Sequence, residues 1–345
     1  MLALETGRPW IRVLSLGAGV QSTTLALMAC HGQLPRLDLA IFADTGGEPR
    51  RVYDHLAQLT DYCAGYGLPV IKVSKGNLAR DAVDPDHRYA SVPYFVQNAP
   101  GPCEKCGTTG RVTDEAGERR CPRCKGSGWD NGQGMGRRQC TSEYKIEPIY
   151  RKVRELLGAR PPRHLRVPKG RHAELWVGFS TDEIGRVNDA APGYVRVRHP
   201  LLELDLDRKA CLRFLHSQGW TSVAKSACVF CPYHGNRQWR NMRDNHPDEW
   251  RAAVEFDAAI RKGGSHGLPL DGEAFLHRER VPLGEANIDR YTRREWRERQ
   301  GDLLDLIADT EAGLGPEALL AEEGSPDGCG PFACRSSGAD DGDAA

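Results

Sequence analysis

Residues 11–30 read IRVLSLGAGVQSTTLALMAC: an apolar run, a turn with two glycines, then apolar side chains at helical spacing. The alternation repeats with LDLAIFA at 37–43, RVYDHLAQLTDYCAGYG at 51–67 and LPVIKVS at 68–74. Strands that alternate with helices of this length are typical of βαβ units, whose strands run parallel. We therefore predict an α/β fold, with an open, mostly parallel sheet and helices on both of its faces.

The alternation stops near residue 98 and resumes near residue 139 of the 345 residues. The stretch between is rich in glycine, proline, cysteine and charge, so we expect a small inserted module resembling a zinc ribbon. From residue 322 the chain carries six acids, one arginine and few apolar groups, a composition typical of disorder. The predicted parts are a nucleotide-binding half (1–97), a zinc-binding insertion (98–138), the rest of the α/β domain with a cysteine centre (139–235), a helical C-terminal region (236–321) and a disordered tail (322–345).

The overall composition favours a cytoplasmic protein. Lys and Arg number 47 and Asp and Glu 47, so no net charge draws the chain to nucleic acid or to an anionic membrane. No apolar run reaches the ~18–20 residues of a membrane span, and Glu5 and Pro9 interrupt the apolar start that a signal peptide needs. Residues 151–172 hold eight Lys and Arg against one acid. Two interpretations stay open for this segment: a solvated surface, or a docking patch for a polyanion such as tRNA or DNA.

The turn between the first strand and the first helix is a candidate phosphate loop. Gly17 and Gly19 let backbone N–H groups converge on an anion, and the helix N-terminus adds a partial positive charge. The spacing matches neither a Walker loop nor a dinucleotide-binding fingerprint. The candidate nucleotide-binding residues in this loop are Ser15, Gly17, Ala18, Gly19, Gln21 and Ser22.

Two more polar loops follow strands and are predicted at the same edge of the sheet. FADTGGEP at 42–49 contributes Asp44, Thr45 and Gly46. WVGFSTDE at 176–183 contributes the candidate nucleotide-binding residues Gly178 and Asp182, with Arg186 just beyond. Because ligands of open α/β sheets bind beyond the carboxyl ends of the strands, three such loops together predict a nucleotide pocket.

The chain resembles the PP-loop ATP pyrophosphatases, and specifically their phosphoadenosine phosphosulfate (PAPS) reductase branch. The resemblance is carried by a strand, the loop SxGxGxxS and a helix, followed by FADTGxEP. The resemblance covers about 11–97 and 139–235. It implies an adenine nucleotide alpha-hydrolase-like fold, and ATP or an adenylyl sulfate bound at the first loop. It also implies a role for Asp44 next to the nucleotide or its Mg²⁺.

The first loop departs from the family pattern SGGxDS. Gly17 stands in place of the first serine, Ala18 in place of a glycine and Gln21 in place of the aspartate. A later segment of the chain resembles the part of the family that closes over the phosphates. The residues in that segment are Gly178, Asp182, Glu183 and Arg186.

Four cysteines in the insertion have the spacing of a metal site. Cys103 and Cys106 form one C-x-x-C pair, and Cys121 and Cys124 form another. Four thiolates complete a tetrahedral zinc site, and the second pair with its glycines resembles a repeat of the DnaJ-type zinc module. We predict a structural Zn²⁺; free or redox-active thiols are the alternative.

Cys140, Cys228 and Cys231 form a second candidate centre. The segment from Cys140 to Pro148 resembles iron–sulfur adenylyl-sulfate reductases, with Thr141 where that family has a second cysteine. The resemblance implies a [4Fe–4S] cluster on three thiolates, with one iron left for another ligand such as hydrosulfide. Zinc on the same cysteines together with His234, and purely structural thiols, stay open.

The remaining cysteines carry less information. Cys30, Cys63 and Cys211 lie in apolar helical segments, where a thiol is usually a small buried hydrophobe. Cys329 is followed by glycine, as in the mobile nucleophile of PAPS reductases, but the flanking residues of that motif are missing. Cys334 is the other cysteine of the tail.

These patterns predict an enzyme that binds an adenine nucleotide and activates an acceptor by adenylation with release of pyrophosphate. Sulfur would then be transferred to the acceptor through Cys140, Cys228 and Cys231, with Asp44 as a further catalytic residue. The basic segment and the zinc module suggest a nucleic acid as the acceptor. The alternatives are reduction of an adenylyl sulfate (PAPS or APS) to sulfite, and an inactive zinc-bearing module that binds nucleic acid or a partner. The expected partners are an adenine nucleotide, a tRNA or DNA acceptor and a second copy of the chain, and no membrane.

Overall fold

A five-stranded parallel sheet is the centre of the protein in the computed structural model. The structure describes residues 10–87, 92–114, 117–136, 138–160, 166–187, 191–223, 225–263, 270, 272–291 and 295. The strands of the central sheet are β1 (Ile11–Leu16), β2 (Leu39–Asp44), β3 (Val70–Ser74), β10 (Ala173–Val177) and β11 (Val195–Arg198). Their order is β11-β10-β1-β2-β3 and every pair is parallel, so the predicted α/β class is confirmed.

Eight α-helices lie in the described part of the chain, and recognisable capping residues stand at the start of α6 and after the end of α2. They are α1 (Val20–Cys30), α2 (Arg50–Gly65), α3 (Leu78–Val83), α4 (Glu147–Leu156), α5 (Pro200–Glu203), α6 (Arg208–Ser217), α7 (Asn236–Asn245) and α8 (Pro247–Ala259). Asp207 caps α6 by accepting from Ala210 N at 2.6 Å, and Gly67, with a φ of 71°, follows the end of α2. Among the described helices, none has both the length and the apolar character needed to cross a lipid bilayer.

Helices cover both faces of the central sheet. Leu14 and Leu16 of β1 pack into an apolar cluster with side chains of α1, α2 and α6. Val13, on the opposite face, packs with Ile149 and Val153 of α4. This division follows from the alternation of side chains along a strand, and the near-continuous apolar strands are typical of a sheet buried on both sides.

The direction of chain connection reverses between β1 and β10. From β1 the chain continues to β2 and β3 on one side, whereas β10 continues to β11 on the other side. Such a topological switch point opens a crevice beyond the carboxyl ends of the two strands, where open α/β sheets bind ligands. The first and third polar loops follow β1 and β10, so the crevice lies between them.

The segment between the two halves of the central sheet forms small antiparallel sheets. Its strands are β4 (Phe95–Gln97), β5 (Gly101–Pro102), β6 (Arg111–Asp114), β7 (Gly117–Arg120), β8 (Trp129–Asp130) and β9 (Gln133–Met135), and β5 pairs with β8 and β6 with β7. A late strand, β12 (Glu273–Phe275), pairs with β4, which also pairs with β9. The C-terminal region is therefore not purely helical, because after α7 and α8 it adds a strand to the base of the insertion. The predicted tail at 322–345 lies outside the described residues, as do Cys329 and Cys334.

Candidate active site

The first loop folds onto the N-terminus of α1 through Ser22. Gly17 N donates to Ser22 Oγ at 3.2 Å, and Ser22 Oγ donates to Gly19 O at 3.2 Å. Ala18 is buried with a φ of 54°, in the left-handed region that few residues other than glycine occupy. Within α1, which is described throughout, the first turn has no acidic side chain and Gly19 supplies no side-chain cap. The positive end of the helix dipole is therefore not neutralised from within the helix, which favours an anionic ligand.

Ser15 is placed away from this helix end. Because side chains alternate along β1, Ser15 lies on the same face of the sheet as Val13, towards α4, while Leu14 and Leu16 face α1. Its buried Oγ has no hydrogen-bond partner within the described part of the chain. The geometry thus disfavours the predicted contact between the Ser15 side chain and a phosphate at α1.

Gln21 links the first loop to the third loop. Its Nε2 donates to Ser180 Oγ at 3.2 Å and to Glu183 Oε2 at 3.0 Å, and its Oε1 accepts from Arg208 Nη1 at 3.2 Å. The backbone after β10 also approaches α1 closely, since a Cβ on Gly178 would lie 3.1 Å from Ser22 N. The amide at position 21 therefore holds the two sides of the crevice together.

The third loop itself is fixed by α6. Asp182 Oδ1 accepts from the backbone N–H of Arg208 at 3.0 Å, so this carboxylate caps the start of α6. Arg186 ends the short 3₁₀ turn Thr181–Arg186, and its side chain lies outside the described part of the structure. Asp182 is accordingly a structural anchor of the loop.

Asp44 stands at the carboxyl end of β2, surrounded by donors. Its Oδ1 accepts from Tyr53 Oη at 2.7 Å and from Gly46 N at 2.8 Å, and its Oδ2 lies 3.0 Å from Lys72 Nζ. Burial by itself would raise the pKa of Asp44, but the hydrogen bonds from Tyr53 and Gly46 and the Lys72 ammonium outweigh it and hold the pKa below its ordinary value. Asp44 is therefore a carboxylate at neutral pH.

The loop after β2 packs directly on the C-x-x-C segment. Thr45 Oγ1 lies 3.2 Å from Cys228 Sγ, and Val229 N donates to Gly47 O at 2.8 Å. A Cβ on Gly47 would lie 2.5 Å from the ring of Phe230, so only glycine permits this approach. The candidate nucleotide edge of the sheet and one of the candidate sulfur ligands are consequently in contact.

A buried ion pair joins the same loop to the segment that follows Cys140. Glu48 Oε1 lies 3.0 Å from Lys145 Nζ, and the two side chains are 1% and 6% exposed. Lys145 belongs to a single π-helical turn, Ser142–Ile146, a feature that is frequent at functional sites. Cys228 Sγ lies 4.0 Å from Glu48 Oε1, so this pair is next to the cysteine centre.

The three cysteines of the second centre share one apolar environment but not the spacing of a zinc site. Cys140 is half-buried against the cluster that contains the buried residues Cys228 and Cys231. Thiolates on one tetrahedral zinc stand about 3.8 Å apart. Among the described residues, only the four cysteines of the insertion bring three or more ligand atoms within 4.8 Å of one another.

His234 has a structural role. Its Nε2 donates to the Cys228 carbonyl at 2.9 Å and its Nδ1 lies 3.1 Å from Gln238 Oε1. Burial lowers the pKa of His234 to about 4, so the ring is neutral. Nε2 is occupied by its hydrogen bond and Nδ1 lies against Gln238, so the zinc alternative that uses His234 as a ligand is disfavoured.

The insertion contains a four-cysteine group that could hold a metal ion such as zinc. Cys103 Sγ lies 3.8 Å from Cys121 Sγ and Cys106 Sγ lies 3.7 Å from Cys124 Sγ, the edge length of a tetrahedral zinc–thiolate site. Gly128 has a φ of 74°, and a Cβ there would lie 2.0 Å from a backbone carbonyl oxygen. The turn after the second C-x-x-C pair therefore requires glycine.

The basic segment 151–172 is partly used inside the protein. Arg151 donates to the Ser74 carbonyl at 3.3 Å, and Arg171 donates to the carbonyl that follows α4 at 3.1 Å. Arg163 lies outside the described residues. These bonds favour the structural interpretation for two of the eight cations, and a polyanion docking patch stays a prediction.

No family model, no curated protein and no solved structure matches the chain. Five residues around the candidate site were not among the predicted site residues: Tyr53, Lys72, Glu48, Lys145 and Arg208. Glu48 and Lys145 lie within the quoted motifs, but only their burial shows that they form a pair. Arg208 is far from Gln21 in sequence, so no local pattern could associate the two.

Glu48→Gln tests the buried ion pair. The substitution leaves the Lys145 ammonium buried without its carboxylate, which we expect to lower the free energy of unfolding by about 3–5 kcal/mol. Denaturant unfolding of both proteins measures this difference, and Glu255→Gln at an exposed position of α8 is the matched control. An equal, small effect of the two substitutions would contradict the pairing.

Cys121→Ser tests the four-cysteine group. The variant should lose the zinc that the wild-type chain retains through gel filtration, since three thiolates and a hydroxyl make a weaker site. Zinc quantification per chain is the measurement, and Cys211→Ser, at a buried cysteine within α6, is the control. Retention of stoichiometric zinc by Cys121→Ser would refute this assignment.

Proposed function

We propose that the chain is a PP-loop enzyme of the PAPS reductase family that adenylates an acceptor and then transfers sulfur to it. The observation that carries the proposal is the contact between Thr45 and Cys228, 3.2 Å apart. It joins a loop of the candidate nucleotide edge to the cysteine centre. Adenylation converts an acceptor oxygen that is a poor leaving group into a good one. A sulfur nucleophile must then reach the carbon that carries this oxygen.

The nucleotide phosphates would lie at the N-terminus of α1, in the crevice of the switch point. Support comes from the glycine-containing loop, the close approach of Gly178, and the absence of an acidic side chain from the first turn of this fully described helix. Asp44 is an ionised carboxylate at the carboxyl end of β2, so it is the proposed Mg²⁺ ligand. The proposal implies an adenine nucleotide alpha-hydrolase-like fold for the α/β domain.

The cysteine centre is proposed to hold a [4Fe–4S] cluster. Cys140, Cys228 and Cys231 would be its three thiolate ligands; they belong to one apolar cluster and do not have zinc-like spacing. When bound, the cluster supplies an iron that can carry a sulfide ligand. Lys145 is paired with Glu48, whose Oε1 lies 4.0 Å from Cys228 Sγ.

The reaction proceeds in two displacements. The acceptor oxygen attacks the α-phosphorus of ATP, and pyrophosphate leaves from the opposite side of the phosphorus. Hydrosulfide then forms a bond to the acceptor carbon, and the C–O bond breaks with AMP as the leaving group. The positive end of α1 stabilises the charge that develops on the phosphates in the first step. A nucleic-acid base with a carbonyl oxygen is the proposed acceptor class.

Asp44→Asn tests the nucleotide site. Loss of the carboxylate removes a metal ligand, so we expect at least a tenfold weaker affinity for ATP–Mg²⁺ and a matching loss of pyrophosphate release. Isothermal titration calorimetry measures the affinity, and Asp61→Asn, at an exposed position of α2, serves as the control. Unchanged binding in Asp44→Asn would sink the proposed role of this residue.

Metal analysis after anaerobic purification tests the cysteine centre. We expect about four iron atoms and one zinc per chain in the wild type. Cys228→Ser should lose the iron and keep the zinc, whereas Cys121→Ser should do the reverse. Two zinc ions without iron, or iron that survives Cys228→Ser, would overturn the assignment.

A further inference from the structure

Two cysteines outside both candidate metal centres lie side by side where α1 and α2 end. Cys30 is the last residue of α1 and Cys63 lies in the last turn of α2. Their sulfur atoms are 4.0 Å apart, although 33 positions separate them in the chain. The sequence predicts each of them to be an isolated buried hydrophobe, and the fold brings them together as a dithiol.

We propose that Cys30 and Cys63 form a reversible disulfide that links α1 to α2 when the protein meets a peroxide. A disulfide needs a sulfur–sulfur separation of about 2.05 Å, so the two thiols must approach by about 2 Å through side-chain rotation. The two helices pack against each other in one apolar cluster, which holds the thiols at this short range.

The two thiols differ in exposure, and this difference assigns their roles. Cys30 is half-buried and reachable from solvent, whereas Cys63 is fully buried. The hydrogen bond between the two thiols, set against burial, lowers the pKa of Cys30, and the same bond together with burial raises the pKa of Cys63. Cys30 is therefore the attacking thiolate and Cys63 the resolving thiol.

The chemistry takes two steps and balances with hydrogen peroxide as the oxidant. The Cys30 thiolate attacks one peroxide oxygen, the O–O bond breaks, and the departing hydroxide takes up a proton to form water. The Cys63 sulfur then attacks the sulfenic sulfur of Cys30, the S–O bond breaks, and a second water leaves with the Cys63 proton. The two thiols supply the two electrons that reduce the peroxide, and a dithiol reductant reverses the bond.

The location gives the bond a structural consequence. α1 begins at the first loop, and α2 begins directly after the loop that carries Asp44. A covalent link at their far ends ties together the two helices that start at the candidate nucleotide edge. The inference does not depend on the proposed enzymatic function, because it rests on the thiol pair alone.

Peptide mapping of the full-length protein tests the inference. Trypsin is expected to release peptides 13–36 and 52–72, each of which contains a single cysteine. After treatment with equimolar peroxide and alkylation under denaturing, non-reducing conditions, mass spectrometry should find these two peptides joined, with two hydrogen atoms lost. Dithiothreitol should restore the separate peptides.

Two variants distinguish the assigned roles. Cys63→Ser should leave Cys30 as a sulfenic acid that dimedone traps, and Cys30→Ser should leave Cys63 reduced. Cys211, buried in the same cluster, should be alkylated in full after the protein is denatured, which controls for general oxidation. Alkylation of both Cys30 and Cys63 after peroxide, or over-oxidation of Cys30 without a link to Cys63, would overturn the proposal.

Discussion

The buried ion pair of Glu48 and Lys145 is the contact on which the arrangement of the site depends. Glu48 follows a strand of the first half of the sheet, whereas Lys145 follows the insertion, 97 positions later. Removing two charges from water costs several kcal/mol for each ion, and a partner in good geometry offsets that cost. The pair therefore stabilises one placement of the two segments, and in that placement Cys228 lies next to the loop after β2.

A second constraint acts across the switch point. Gln21 stands where the resembled family has an aspartate, and it uses its amide group for three hydrogen bonds to the opposite side of the crevice. An amide both donates and accepts, so it can join Glu183 to Arg208 through one side chain. A carboxylate at this position would repel the Glu183 carboxylate, so glutamine fits this set of partners better than an aspartate would.

The strands and helices of the sheet could be predicted because their apolar periodicity is local. β1, α1, β2, α2 and β3 lie within a few residues of the predicted segments. The strand β12 could not be predicted in the same way, because it is three residues long and gains its stability from pairing with β4, about 180 positions away. The role of His234 could not be predicted either, because a C-x-x-C-P-Y-H pattern is the same whether the imidazole binds a metal or donates to a backbone carbonyl.

The sequence alone determined the features that depend on residues close together in the chain. These are the βαβ periodicity, the glycine turn ahead of α1 and the two C-x-x-C pairs of the insertion. Within each C-x-x-C pair the backbone turn places the two thiols next to each other. The short segment between the pairs then brings the four sulfur atoms together. Only the tertiary structure decided which side chains meet across the chain, such as Gln21 with Arg208, Glu48 with Lys145 and Cys30 with Cys63. Those contacts depend on burial and on packing between segments that are distant in the chain. The spacing of residues along the sequence does not show which distant segments pack together.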